Sequence, residues 1–196
     1  MSCEVVQPAV DASLTTKIIE DLQALFASKV YLDKIYPVAY LGIQKTEDGT
    51  HSFPRVYLND GGTDYIDVMP DDKLKGYTFF EIDSVESYNR AEEEYTATIS
   101  QTFWFNQNKI DNRNYDYNHE LIADILKTYE LNSDITEEIA IEENIENIYD
   151  KYDLPQENTQ HFMYPYSGVK FTFTVTICES LSCIPDFTLI STPSDC

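Results

Sequence analysis

The chain has 196 residues, 42% of them apolar and 13% aromatic, enough to bury a core in one domain rather than remain disordered. Asp and Glu outnumber Lys and Arg by 35 to 13, a formal charge of −22. That balance argues against binding nucleic-acid phosphates or an anionic membrane surface, both of which require clustered cations. It suits contact with a basic partner, or a wall that DNA passes without adhering.

Residues 14–30 show a helical apolar stripe of Ile18, Ile19, Leu22, Leu25 and Phe26, with Asp11 or Ser13 to cap its start. Residues 36–44 turn β-like, and Asp48-Gly49 is the strongest hairpin-turn signal in the chain. Phe53 to Leu58 returns as a strand, with Pro54 placing it at an edge or marking its start. A turn at 59–64 leads to a short strand, Tyr65 to Met69, and Tyr77 to Ile82 forms another before a polar turn at 84–92.

Period-two alternation is clearest from Tyr95 to Phe105. Tyr95, Ala97, Ile99, Gln101, Phe103 and Phe105 take one face; Thr96, Thr98, Ser100, Thr102 and Trp104 take the other. The Asn/Asp-rich stretch 106–118 reads as a loop, and Asn118 opens a helix through Tyr129 with an inward stripe of Leu121, Ile122, Ile125 and Leu126. Asp134 and Glu137 resemble a capping box, and Ile135, Ile139, Glu142, Ile145 and Ile148 follow the period of a third, acidic helix over 134–150. A polar linker at 153–160 precedes the last strand, Val169 to Ile177, whose outer positions are Lys170 and threonines.

This order predicts an α+β fold: one mostly antiparallel twisted sheet with helices packed on one face. The domain is expected over 1–183, with a helical insertion at about 119–152 and a tail at 184–196. The threonine-rich faces are expected against solvent or another subunit.

Evidence for catalysis is thin. No phosphate-binding glycine motif and no nucleophile elbow occur, and His51, His119 and His161 lie far apart. Asp60, Asp64, Asp67, Asp71 and Asp72 carry hard oxygen ligands, but their spacing is not that of an EF-hand, and Asp and Gly are what turns require. Met1 to Val10 carries no basic stretch followed by an apolar one, so Cys3, Cys178, Cys183 and Cys196 are expected as reduced thiols, and Cys178 and Cys183 have no second ligand pair for a zinc site. No catalytic residue, cofactor or metal is expected. Trp104, Tyr164 and Tyr166 are the candidate interface aromatics, since large rings on polar faces suit protein contacts.

The helix at 14–30, the hairpin at Asp48-Gly49, the strands to Phe105, the helix at 119–129 and the strand at 169–177 together form a recognisable order. The segment Tyr65-Ile66-Asp67-Val68-Met69-Pro70 and the pair Phe79-Phe80 add to it. In this order the chain resembles tail-terminator and neck proteins of tailed bacteriophages; the segment 134–150 and the cysteine-bearing tail depart from the pattern. The resemblance implies a non-enzymatic virion subunit that forms a homo-oligomeric ring in the neck or at the head-proximal end of the tail. Its neighbours would be portal, neck or tail proteins, with DNA passing through unbound and no membrane involved. Under that reading Asp60, Asp64, Asp71, Asp72, Glu137, Glu138, Glu142 and Glu143 are candidates for an acidic channel or rim. The alternative is an acidic module that binds a basic partner; a metal-dependent enzyme would rest only on the aspartates of 60–72.

Overall fold

The computed structural model describes residues 3–6, 15–46, 49–58, 64–89, 94–111, 116–132, 135 and 138–178. The elements are β1 (Glu4–Val5), α1 (Thr15–Phe26), β2 (Lys34–Thr46), β3 (Gly49–Leu58), β4 (Asp64–Asp67), β5 (Gly76–Asn89) and β6 (Glu94–Asn106). There follow α2 (Gln107–Ile110), α3 (Asn118–Tyr129), β7 (Ala140–Glu142), α4 (Gln156–Thr159) and β8 (Tyr166–Cys178), with short 3-10 turns at Asn147–Tyr149 and Gln160–Phe162. The fold is α+β, an eight-stranded mixed sheet in the order β4-β3-β2-β5-β6-β8-β7, with β1 on β2. Two pairings are parallel, β1–β2 and β2–β5, and the others are antiparallel.

Strand β6 lies between β5 and β8 and contributes to both layers of the core. Its alternation sends Ala97, Ile99, Phe103 and Phe105 to the face where α1 and α3 pack, through Ile18, Ile19, Leu22, Phe26, Leu121, Ile122 and Ile125. Gln101 is buried on that face too, but Tyr129 Oη donates to its Oε1 at 2.7 Å and its Nε2 donates to Thr78 Oγ1 at 3.0 Å. Those bonds satisfy a side-chain amide that would otherwise cost stability to bury.

The second face is also covered, contrary to expectation. Ser100, Thr102 and Trp104 are fully buried. Over that face lie Phe53 and Val56 of β3, together with Ile148, Tyr149 and Leu154 from the segment between β7 and β8. Gly168 makes this close packing possible: a Cβ there would come within 2.3 Å of Ile148 Cδ1. The end of this face at Ser100, Thr102 and Trp104 is thus an inner layer, while Thr96, Thr98, Thr172, Thr174 and Thr176 are half-buried.

Several elements differ from the sequence reading: α2 lies in the stretch read as a loop, α4 in the stretch read as a linker, and β1 is unexpected. Among the described residues of 134–150, Ile135 and 138–150, the expected third helix is absent. Ile135 bridges Val175, and Ala140–Glu142 pairs with Thr172, Phe171 and Lys170 at the edge of β8. The isoleucines of this segment are β-branched, and β8 offers backbone groups that need partners, so strand pairing outweighs a weak helical preference. The expected turn at 84–92 is instead the continuation of β5, which pairs with β6 as far as Asn89↔Glu94. The pairing absorbs two extra residues, Asp83 and Glu86, as bulges. The Asp48-Gly49 signal does mark a hairpin, with Thr46 pairing Gly49, whose φ is +154°.

Six tyrosines are built into these layers, and each has its phenol pKa raised, chiefly by burial: Tyr31, Tyr36 (to about 12), Tyr77, Tyr129, Tyr149 and Tyr152. A raised folded-state pKa stabilises fully below the unfolded value, near about 10 for tyrosine, and that stability is lost as pH rises through the folded value. Stability measured by urea unfolding should therefore fall steeply above about pH 10. Tyrosinate absorbance should show these rings ionising only as the chain unfolds; full tyrosine ionisation in a still-folded protein would contradict this.

Candidate functional site

Strand β2 changes partners midway. On one side Lys34, Ile35 and Val38 pair with Tyr77, Thr78 and Phe80 of β5, with a register shift around Tyr36-Pro37. Beyond Val38, β2 pairs with β3 on its other side, from Ala39↔Val56 to Thr46↔Gly49. After Phe80, β5 continues with β6. The two strands therefore part, and among the described residues no strand fills the gap between them.

The fork holds a cleft of about 370 Å³ lined by Val38, Ala39, Tyr40 and Leu41 of β2, Glu81, Ile82 and Asp83 of β5, and Lys151 and Tyr152. Its rim is apolar: Tyr40 is 57% exposed, Leu41 and Ile43 60%, and Ile82 37%. Lys34–Thr46 contains no carboxylate and two lysines, Lys34 and Lys45, in a chain that is otherwise strongly acidic.

The floor of the fork is ionic. Glu81 is buried, and Tyr152 Oη donates to its Oε1 at 2.7 Å. Lys151 Nζ lies 3.6 Å from Glu81 Oε1, and Lys170 Nζ lies 3.4 Å from Oε2. Asp83, two residues beyond Glu81 and so on the same face, receives hydrogen bonds from Lys151 and Ser100; Ser100 also bonds Thr172 at 2.9 Å. Burial lowers the Lys151 pKa, but the hydrogen bond to Asp83 and the charge of Glu81 outweigh it, so the net shift is upward. Two carboxylates and two ammonium groups thus balance, and the cluster ties the segment after β7 to the sheet.

The sequence-predicted interface residues are distributed differently. Trp104 is fully buried, not a surface platform. Its ring stacks on Tyr77 and Tyr166 at 5.4 and 5.3 Å, and its Nε1 donates to the His161 carbonyl at 3.2 Å. Tyr166 is therefore half-buried in the same stack, while Tyr164 is exposed.

The acidic candidates do not form one cluster. Asp60 and Glu137 lie outside the described residues, as does the side chain of Asp64 at the start of β4. Asp71 accepts from the Lys73 amide at 2.7 Å, a turn-building bond, and Asp72 is exposed beside it. Asp67 faces Arg55 at 2.6 Å. Glu138, Glu142 and Glu143 flank or form β7, at the opposite end of the sheet from β4. Glu142 accepts from the Asn144 amide at 2.7 Å. Among the described residues, no group of three or more His, Cys, Asp or Glu side chains is placed to hold a metal ion.

The three histidines stay apart. His51 is 4.0 Å from Asp153, His119 is 4.0 Å from Glu143, and His161 packs against Tyr166. A second, shallower concavity of about 620 Å³ lies between the end of α1 and α3. Its central carboxylate, Asp124, is already held by Lys29 at 2.7 Å and Tyr31 at 2.8 Å.

Sequence reading passed over Glu81, Lys151, Tyr152 and Lys170. The available signals were two isolated charges, Glu81 after Phe79-Phe80 and Lys170 between Val169 and Phe171, each in an apolar strand.

A scan against protein-family models finds no match. Searches of curated proteins and of solved structures find none either.

Breaking a buried pair strands its partner's charge, so Glu81→Gln should cost about 3 kcal/mol in urea unfolding. Lys151→Met, at the half-exposed end of the cluster, should cost under about 1 kcal/mol. Equal losses from the two variants would show that the cluster is not organised around Glu81.

Proposed function

We propose that the chain is a non-enzymatic structural subunit that binds copies of itself to build a ring. The ring would be of the head–tail connector or tail-terminator kind, in the neck or at the head-proximal end of a phage tail. The observation that carries this reading is the open half of β2. Natural sheets blunt their edges with short strands and charge, because an open edge is a template for another strand. Strands β4 and β7 fit that rule, being four and three residues long and acid-bearing. The span Ala39–Thr46 does not: it is long, free of acid and fringed by exposed Tyr40, Leu41 and Ile43. A surface of that kind suits pairing with another chain.

The remaining acidity supports the same reading. A ring whose channel or rim is acidic repels duplex DNA and lets it slide, whereas each phosphate neutralised by a basic lumen would strengthen binding. In the fork, Glu81 and Asp83 are each faced by a lysine, which favours a structural role for them. The charge of −22 gives some support to the second reading, an acidic module on a basic partner.

Light scattering over about a hundredfold range of concentration should show the mass rising to a closed multiple. Assembly should be easier at high salt, because repulsion between like-charged copies is screened beyond about 8 Å at physiological ionic strength. Duplex DNA should not be retained at low salt. A monomer under every condition would leave the basic-partner reading standing instead.

A further inference from the structure

We propose that the strand added to the open half of β2 is the outer edge of β7 from the neighbouring copy. This deepens the assembly reading and rests on it. Strand β7 ends the sheet order; one side pairs with β8, and among the described residues no strand pairs with the other. The two edges are different surfaces of the molecule. A contact between different surfaces is head-to-tail, and such contacts close into rings when the rotation between copies allows.

The side chains match. Alternate residues of a strand share a face, so Leu41, Ile43 and Lys45 lie together on β2. On the other edge Ile141, 42% exposed, shares a face with exposed Glu143 just beyond the strand. A parallel register that sets Ile43 beside Ile141 also sets Lys45 beside Glu143, an apolar pair followed by an opposite-charge pair. The acids of β7 guard against wrong pairings: β7 on β7, or β7 on β4, would bring carboxylates together. Strand β4 is the weaker candidate for β2, because its Asp67 is held by Arg55 at 2.6 Å, whereas Glu143 has the His119 ring at 4.0 Å. A β2–β2 contact would use one surface twice and stop at a dimer.

The test is a charge swap, read as the concentration at which light scattering shows half-assembly. Lys45→Glu and Glu143→Lys alone should each raise that concentration about tenfold or more, and the double variant should bring it back near wild type. Both positions are exposed, so melting temperatures should not move; Lys45→Gln and Glu143→Gln provide milder variants should either reversal disturb folding. If the wild type assembles but the single swaps change nothing, or the double swap fails to restore assembly, this pairing is wrong and the ring reading survives. A wild type that stops at a dimer overturns this pairing. A wild type that never assembles overturns both.

Discussion

Strand β2 must satisfy two neighbours in turn, and the fork in the sheet follows from that. Its first residues lie between β1 and β5, but from Ala39 onward it belongs to a hairpin with β3. The change falls at Tyr36-Pro37, where the register with β5 shifts. Proline has no N–H to give to a ladder, so it is an economical place for a strand to leave one neighbour. Beyond Val38, which still pairs with Phe80, the β5-facing backbone of β2 and the β2-facing backbone of β5 part. The fork, its apolar rim and its ionic floor all descend from this parting.

The floor explains why the fork does not collapse. A sheet with both faces covered has little space for charge, yet Glu81 sits in it because Lys170, Lys151 and Tyr152 supply the ion pairs and hydrogen bond that an isolated carboxylate would lack. Tyr77 and Tyr149 anchor the same segment deeper, with hydroxyls 2.5 Å apart. The Ser52 amide donates to the Asp153 carbonyl at 3.0 Å, and the Asp153 amide donates to Ser52 Oγ at 2.8 Å, which fastens it to β3. The segment after β7 thus props the hairpin against the sheet and fixes the angle at which β2 leaves β5.

Local patterns were readable in the chain, and non-local ones were not. The stripes of α1 and α3, the alternation of β6 and β8 and the Asp48-Gly49 hairpin depend on neighbours a few residues away, and they stand as read. Residues 134–150 were misread because isoleucines at near-helical spacing also serve as edge-strand residues. What decided between the two was β8, some thirty residues further on. The alternation assigned Trp104 to the correct face, but nothing local revealed that Ile148, Tyr149 and Leu154 would cover it. The fork was invisible for the same reason: it is a relation among three strands, not a property of any one.

The account stands on the open half of β2 being the surface that a second copy covers. Amide hydrogen exchange across Ala39–Thr46 tests this most directly, compared between dilute protein and assembled protein. Alternate amides, those pointing away from β3, should exchange freely when dilute and become protected on assembly. Protection already complete in the dilute protein, or unchanged on assembly, would contradict the account.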